Sequence, residues 1–316
     1  MLVLKSPRRE VHGILLLDKP KGISSNAALQ IAKRLFKAKK AGHTGSLDPV
    51  ASGLLPICFG EATKFSQFLL EADKHYQTTA VLGIRTDTGD VEGNIVSERL
   101  VPDLNTADVE TILDRFRGPI SQIPSMFSAI KHQGQPLYKL ARQGIVIERE
   151  ARELTIKELT LLELKNNTMR LEIRATKGTY IRTLVEDIGE ALGCGAHVVE
   201  LRRLGSGPYT TEQMLSFEIL EHILDQEGIK KLESYLLPVD TSVAFMHELR
   251  VSDAASYYLR QGQPVQIPYA PTSGWVRFTL QNGRFLGVGE VLEDGRVAPR
   301  RLTVAMGSDL NPILIN

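Results

Sequence analysis

The sequence predicts an α+β protein with a small β-rich second domain, on three observations. Strand-like and helix-like apolar patterns follow one another from residue 13 to about residue 236. Near residue 248 the composition shifts to short apolar runs cut by Gly274, Gly283, Gly287, Gly289 and Gly295, the pattern of short strands and tight turns. At 316 residues, 42% hydrophobic and 24% charged, the chain is long enough for two domains and apolar enough for a sizeable core. The expected division is a first domain over 1–247, carrying a basic insertion at 119–152, and a second over 248–316.

In order along the chain, residues 13–18 read as a short apolar strand and Lys19-Pro20-Lys21-Gly22 as a turn. Ser24 or Ser25 then caps a helix, because Ala28, Ile31, Ala32, Leu35 and Phe36 recur at helical spacing. Its end collects Lys33, Arg34, Lys37, Lys39 and Lys40 with no acid among them. Compensation of the helix dipole accounts for these charges more simply than an RNA-facing cluster does. Residues 41–60 read as a loop punctuated by glycine and proline. A helix is expected over 61–71, a strand near 75–84, a polar loop over 85–93, and a helix over 106–117 with Val109, Ile112, Leu113 and Phe116 on one face.

The segment 119–152 differs in character. Pro119, Pro124 and Pro136 are interleaved with Lys131, Lys139, Arg142, Arg149 and Arg152 and with the aromatics Phe127 and Tyr138. A nucleic-acid surface and a solvated loop stand even as readings of it. Met169, Leu171, Ile173 and Ala175 alternate with polar residues as in a half-buried strand. Ile181, Leu184, Val185, Ile188 and Leu192 mark a helix closed by Gly193, and helical connections are expected over 211–236.

Several function classes are set aside. Apolar stretches such as Ile14–Leu17 fall far short of the roughly 20 residues a membrane helix needs. The start, Met1–Arg9, carries Lys5, Arg8 and Arg9 as a signal peptide would, but the apolar segment behind it runs straight into Asp18, so a cytoplasmic location is expected. Cys58 and Cys194, far apart, read as reduced thiols. No metal-ligand spacing and no phosphate-cradling glycine motif occurs, so neither a metal nor a cofactor is expected. The formal net charge of +1 gives no global nucleic-acid signal, so any RNA surface must be a local patch.

The residues able to carry chemistry are few. Asp48 precedes Pro49 and follows Leu47 in a glycine-bounded loop; both a turn former and a nucleophile or general base fit it. Arg182 falls in the first turn of its helix, where a cation opposes the macrodipole and needs a compensating acid. Glu186 at i+4 and a distant carboxylate such as Asp48 both answer that need, and Asp48 would then be kept ionised by a lowered pKa. Tyr76 and Tyr180 lie at the ends of expected strands, where a tyrosine either stacks on a base or completes the core. His43, beside Gly42, reads more readily as structural than as catalytic. Asp87 and Asp90 read as turn formers.

Seven segments, taken together, resemble the TruB family of pseudouridine synthases. They are Gly-Ile-Leu-Leu-Leu-Asp-Lys-Pro-Lys-Gly at 13–22, Ala-Gly-His-Thr-Gly-Ser-Leu-Asp-Pro at 41–49, Gly-Glu-Ala-Thr-Lys at 60–64 and Arg-Thr-Asp-Thr-Gly-Asp at 85–90. Then come Ile-Pro-Ser-Met-Phe-Ser-Ala-Ile-Lys at 123–131, Lys-Gly-Thr-Tyr-Ile-Arg-Thr-Leu at 177–184, and Gly-Ala-His-Val at 195–198 running into Leu201-Arg202-Arg203-Leu204. They recur in order across about 190 residues. The region 250–305 resembles, more loosely, the PUA-type RNA-binding module of bacterial members, and the tail Met306–Asn316 matches nothing.

The resemblance implies a mixed, largely antiparallel sheet flanked by helices, followed by a β-barrel-like module. It implies conversion of uridine 55 in the tRNA T-loop to pseudouridine, without cofactor or metal. Asp48 would be the catalytic aspartate and Arg182 its ion-pair partner. Tyr76 would contact the flipped uracil and help move its C5 proton; Tyr180 and Leu201 would line the uracil pocket; His43 would stack into the RNA. The 119–152 insertion would close over the T-arm. tRNA is the partner implied, with no protein partner, and the chain is expected to act as a monomer. A non-catalytic tRNA-binding or folding protein on the same scaffold is the alternative.

Overall fold

The computed structural model describes residues 7–304; Lys5 at the start and the tail Met306–Asn316 lie outside the described residues. Strand β1 (Gly13–Lys19) is apolar almost throughout because both its faces are covered. Leu15 and Leu17 enter one core and Ile14 and Leu16 another. Helix α1 (Ser25–Leu35) begins at Ser24, whose hydroxyl accepts the Ala27 N–H. Strands β2 (Ala41–His43) and β3 (Ser52–Phe59) follow. β3 corrects the expectation of a loop over 41–60. Pro56 stands inside it, offering its carbonyl to the Thr44 N–H at 3.2 Å, so the strand accommodates a residue that cannot donate.

The stretch expected as one helix over 61–71 is a 3₁₀ turn, Gly60–Lys64, and a short helix α2 (Ser66–Glu71). Next come β4 (Lys74–Leu82) and the hairpin of β5 (Ile84–Thr86) and β6 (Ile95–Glu98), which carries the 87–94 loop. Helix α3 (Thr106–Leu113) opens with a capping box between Asn105 and Asp108. Strand β7 (Gly118–Gln122), the small hairpin β8 (Lys131–His132) and β9 (Gln135–Pro136), helix α4 (Leu137–Ala141) and strand β10 (Arg152–Lys165) occupy the expected insertion. Its ends are therefore ladder strands, since β7 pairs with the start of β10, and the looped part is 123–151. Strand β11 (Thr168–Ala175), helix α5 (Ile181–Ala191) and strand β12 (Ala196–Ser206) complete the main sheet. Helix α6 (Phe217–Glu233), broken at Gly228, leads to β13 (His247–Val251), α7 (Asp253–Arg260), β14 (Gly274–Leu280), β15 (Phe285–Val291) and β16 (Val297–Leu302).

The main sheet runs β1-β3-β12-β4-β11-β10-β7, with β2 on β3. Every pairing in it is antiparallel except β12 with β3, which meet only at Arg202↔Ser52 and Arg203↔Gly53. Helix α5 packs Leu184, Val185 and Ile188 against Ala80, Leu171 and Val198. Helices α1 and α6 cover the β1 and β3 end. The mixed, largely antiparallel sheet flanked by helices is thus the predicted architecture. The second sheet, β13-β14-β15-β16, has its own core of Leu249, Val276, Phe278 and Leu286. It docks through Phe285 on Phe65 and Trp275 on Phe68, each with ring centroids 5.2 Å apart. No helix among the described residues is long and apolar enough to cross a membrane.

Candidate active site

Asp48 is presented by a loop pinned from behind. The buried Ser25 hydroxyl donates to the Leu47 carbonyl at 3.0 Å and accepts the Leu47 N–H at 2.7 Å, and Leu47 itself is buried in the core. The Gly22 N–H holds the Pro49 carbonyl at 2.8 Å. This leaves the Asp48 side chain 42% exposed above a fixed backbone.

Arg182 lies beneath it, 5% exposed, in the first turn of α5. Its Nε meets Asp48 Oδ2 at 3.0 Å and one terminal nitrogen meets Asp90 Oδ2 at 3.3 Å. The same terminal nitrogen donates to the Thr88 carbonyl at 2.7 Å, and the other donates to the Phe127 carbonyl at 2.9 Å. One guanidinium therefore ties the Asp48 loop, the 87–94 loop and the 123–151 segment together. The planar fork of arginine suits such a junction, and its four acceptors offset the unfavourable end of the helix dipole. Glu186, the local alternative, is engaged by Arg85 instead.

Two sequence expectations need correction here. Asp90 is more than a turn former. It is buried, its Oδ1 accepts from the Thr88 hydroxyl at 2.7 Å and the Glu92 N–H at 3.0 Å, and its other oxygen faces Arg182. Asp87 is a turn former, accepting the Asn94 N–H at 2.9 Å. The Asp48 carboxyl, in turn, is pushed above the usual carboxylate value, not below it. Burial is the largest cause and Asp90 adds to it; Arg182 opposes but is shared between two acids.

The remaining candidates lie on β2, β4 and β12 and at the start of α5. Tyr76 on β4 is half-buried and sits directly opposite Arg203 on β12, with Ile173 of β11 on its other side. Leu201, two residues earlier on β12, is buried opposite Thr78. Tyr180 precedes α5. Its backbone is clasped by the buried Gln122, which accepts its N–H at 2.9 Å and donates to its carbonyl at 3.2 Å. Burial pushes the Tyr180 hydroxyl up, while the neighbouring Ser128 and the nearby cations pull the other way. His43 on β2 keeps a buried Nδ1 with no partner, and burial together with the nearby Arg203 charge holds its imidazole below its ordinary value, hence neutral at pH 7. Lys19 is fully buried beside the site, its ammonium on the Pro20 and Ile23 carbonyls at 2.8 Å each; burial pulls it down to about 8, with Asp48 opposing. Lys19, Gln122 and Arg203 are not singled out by residue type, because a lone lysine, glutamine or arginine in these segments carries no signal of its burial.

Taken as chemistry, a fixed aspartate over a buried guanidinium, with two tyrosines and a neutral histidine among the candidates, has the groups for a carboxylate reaction on a planar ring. The chain matches the model of the TruB family pseudouridylate synthase N-terminal domain over residues 33–181. It also matches the tRNA pseudouridylate synthase B C-terminal domain over 182–244 and the pseudouridine synthase II TruB C-terminal domain over 248–303. The tRNA pseudouridine synthase B of Coxiella burnetii (strain RSA 493 / Nine Mile phase I) is 57% identical over 295 residues, 93% of this chain and 96% of its own. That of Tolumonas auensis (strain DSM 9187 / NBRC 110442 / TA 4) is 55% identical over 309 residues, 96% of this chain and 95% of its own. Among solved structures, a Cbf5-Nop10-Gar1 complex aligns at 25% identity with a TM-score of 0.72, over 96% of this chain and 88% of that one. The chain belongs to the TruB family of pseudouridine synthases.

Proposed function

We propose that this chain isomerises uridine to pseudouridine at position 55 in the T-loop of tRNA, with Asp48 as the attacking carboxylate. The observation that carries the reading is the Asp48–Arg182–Asp90 junction, a half-exposed acid held over a buried cation. The uridine leaves its stack at a cost of a few kcal/mol, and the site replaces what it loses. Tyr76 stacks on the extruded uracil, Tyr180 and Leu201 line its pocket, and neutral His43 stacks into the vacated RNA without adding a second cation.

Asp48 attacks either C1′ of the ribose or C6 of the base, and both routes need it ionised. The N1–C1′ bond breaks, the base turns and C5 bonds to C1′; the Asp48 oxygen is displaced from C1′ as that bond forms or, on the other route, expelled from C6 afterwards; the C5 proton leaves with help from Tyr76, and N1 takes up a proton. Atoms and electrons balance with nothing added. Arg182 holds the carboxylate in place through both halves of the reaction. The 119–152 insertion, whose Phe127 carbonyl already accepts from Arg182, closes over the T-arm, and the C-terminal β module adds RNA contacts. The chain acts as a monomer in the cytoplasm.

The test is tritium release from tRNA transcript labelled at uridine C5, for the native chain and for Asp48→Asn. Release by the native chain alone, with tRNA binding by the variant within about tenfold (roughly 1.4 kcal/mol), supports the assignment. Mapping the product then checks position 55. Binding without release by either protein would favour a tRNA-binding or folding role.

A further inference from the structure

Arg203 is the largest fully buried side chain of the described residues, and it is charged. Among the described residues no carboxylate lies within ion-pair distance of it. Its Nε donates to the Leu54 carbonyl of β3 at 2.7 Å and a terminal nitrogen donates to the Gly45 carbonyl at 3.1 Å. It is also the direct cross-strand neighbour of Tyr76, and the two side chains interact through the tyrosine hydroxyl. Burying a cation without an anion is costly, and an apolar side chain of similar length would fill the same space without that cost. Packing alone gives no reason for a guanidinium here.

What the guanidinium does, and a neutral side chain would not, is donate to two separate elements at once from a residue that is itself paired with a third. One is β3. The second is Gly45, three residues before Asp48, in the left-handed conformation at φ +96°, which favours glycine. The third is β4 at Tyr76. The planar fork thus sets the distance between the loop that carries Asp48 and the ring expected to meet the uracil.

We propose that Arg203 is a positioning residue for the isomerisation, fixing Tyr76 against the Asp48 loop through the Gly45 carbonyl and the Tyr76 hydroxyl. The proposal rests on the function proposed above. It places the effect of Arg203 on turnover, not on tRNA binding, because its donors point into the protein. Lysine at this position keeps the charge but cannot hold three elements together.

The experiment is a double-mutant cycle of Arg203→Lys and Tyr76→Phe, read by kcat and KM for tritium release and by thermal melting. Arg203→Lys alone is expected to lower kcat roughly tenfold with KM changed less than about twofold, and to cost distinctly less than that in the Tyr76→Phe background, where only the Gly45 contact remains to be lost. Losses in kcat that multiply in the double variant, or a loss confined to KM, would overturn the role assigned to Arg203. A native chain that releases no tritium would instead sink the proposed function itself, so the two failures are distinguishable. If Arg203→Lys does not fold, Tyr76→Phe decides alone. It is expected to melt several degrees below the native chain, because the buried guanidinium loses a partner; melting at the native temperature would overturn the contact.

Discussion

Replacing Arg182 by methionine tests the centre of the site. The thioether follows the arginine stem but removes all four donated contacts, at 3.0, 3.3, 2.7 and 2.9 Å. The two carboxylates are not affected equally. Asp48 is 42% exposed, so solvent screens it and its share of the loss is small. Asp90 is only 4% exposed and is left facing an apolar chain. Stripping a buried acid of its cation costs about 3–5 kcal/mol, and Asp90 falls at the low end because Thr88 and Glu92 still donate to its other oxygen. About 3 kcal/mol at ~2 °C per kcal/mol gives a melting point ~6 °C lower. Turnover is expected to fall by about a hundredfold or more, as misplacing a reacting group does. Arg182→Lys should fall between, since one ammonium cannot serve four acceptors in a plane. Scanning calorimetry at pH 7, with tritium release on the same preparations, provides the measurement. An Arg182→Met chain that melts within about 2 °C of the native one would refute the reasoning that the junction is a buried, mutually dependent pair.

Three further outcomes are expected. Because burial raises the Asp48 carboxyl, the acid limb of kcat against pH should have its midpoint above the ordinary 3.8, and a midpoint at or below that value would contradict the site as described. The same shift has a stability consequence: the folded chain holds the Asp48 proton more tightly than the unfolded one does, so this group costs stability increasingly as pH rises above 3.8 until it is fully ionised. Asp48→Asn removes that cost, so it should melt at or above the native temperature at pH 7, with the difference fading toward pH 4; lower stability at neutral pH would count against this. Gly53→Ala should cost about 2–4 kcal/mol in urea unfolding, because Gly53 sits at φ +98° and a Cβ there would overlap the Arg203 backbone; an unchanged midpoint would refute the β3–β12 contact.

Much of this molecule was legible before its structure. Local patterns are read by local physics: Ser24 caps α1 because a serine before an apolar helical stripe has an N–H to accept, and Gly193 closes the turn after α5 at φ +87° as a glycine does. Asp48 and Arg182 stood out as types, an acid in a constrained loop and a cation at the wrong end of a helix, and the seven ordered segments carried the family. Strands β3, β10 and β12 were less legible. β3 holds Pro56, which reads as a break, and β12 holds Arg202 and Arg203 where a core strand would be expected to stay apolar.

The sequence by itself determined the order of elements, the family resemblance and the choice of Asp48 as the candidate acid, because those depend on neighbours in the chain. Only the tertiary structure decided who faces whom. It placed Asp90 on Arg182 and Glu186 on Arg85, it buried Arg203 between β3 and β4, and it raised the Asp48 carboxyl where pairing alone would have lowered it. Desolvation and ion pairing are summed over all groups within reach, and that sum exists only once the chain has closed around the site.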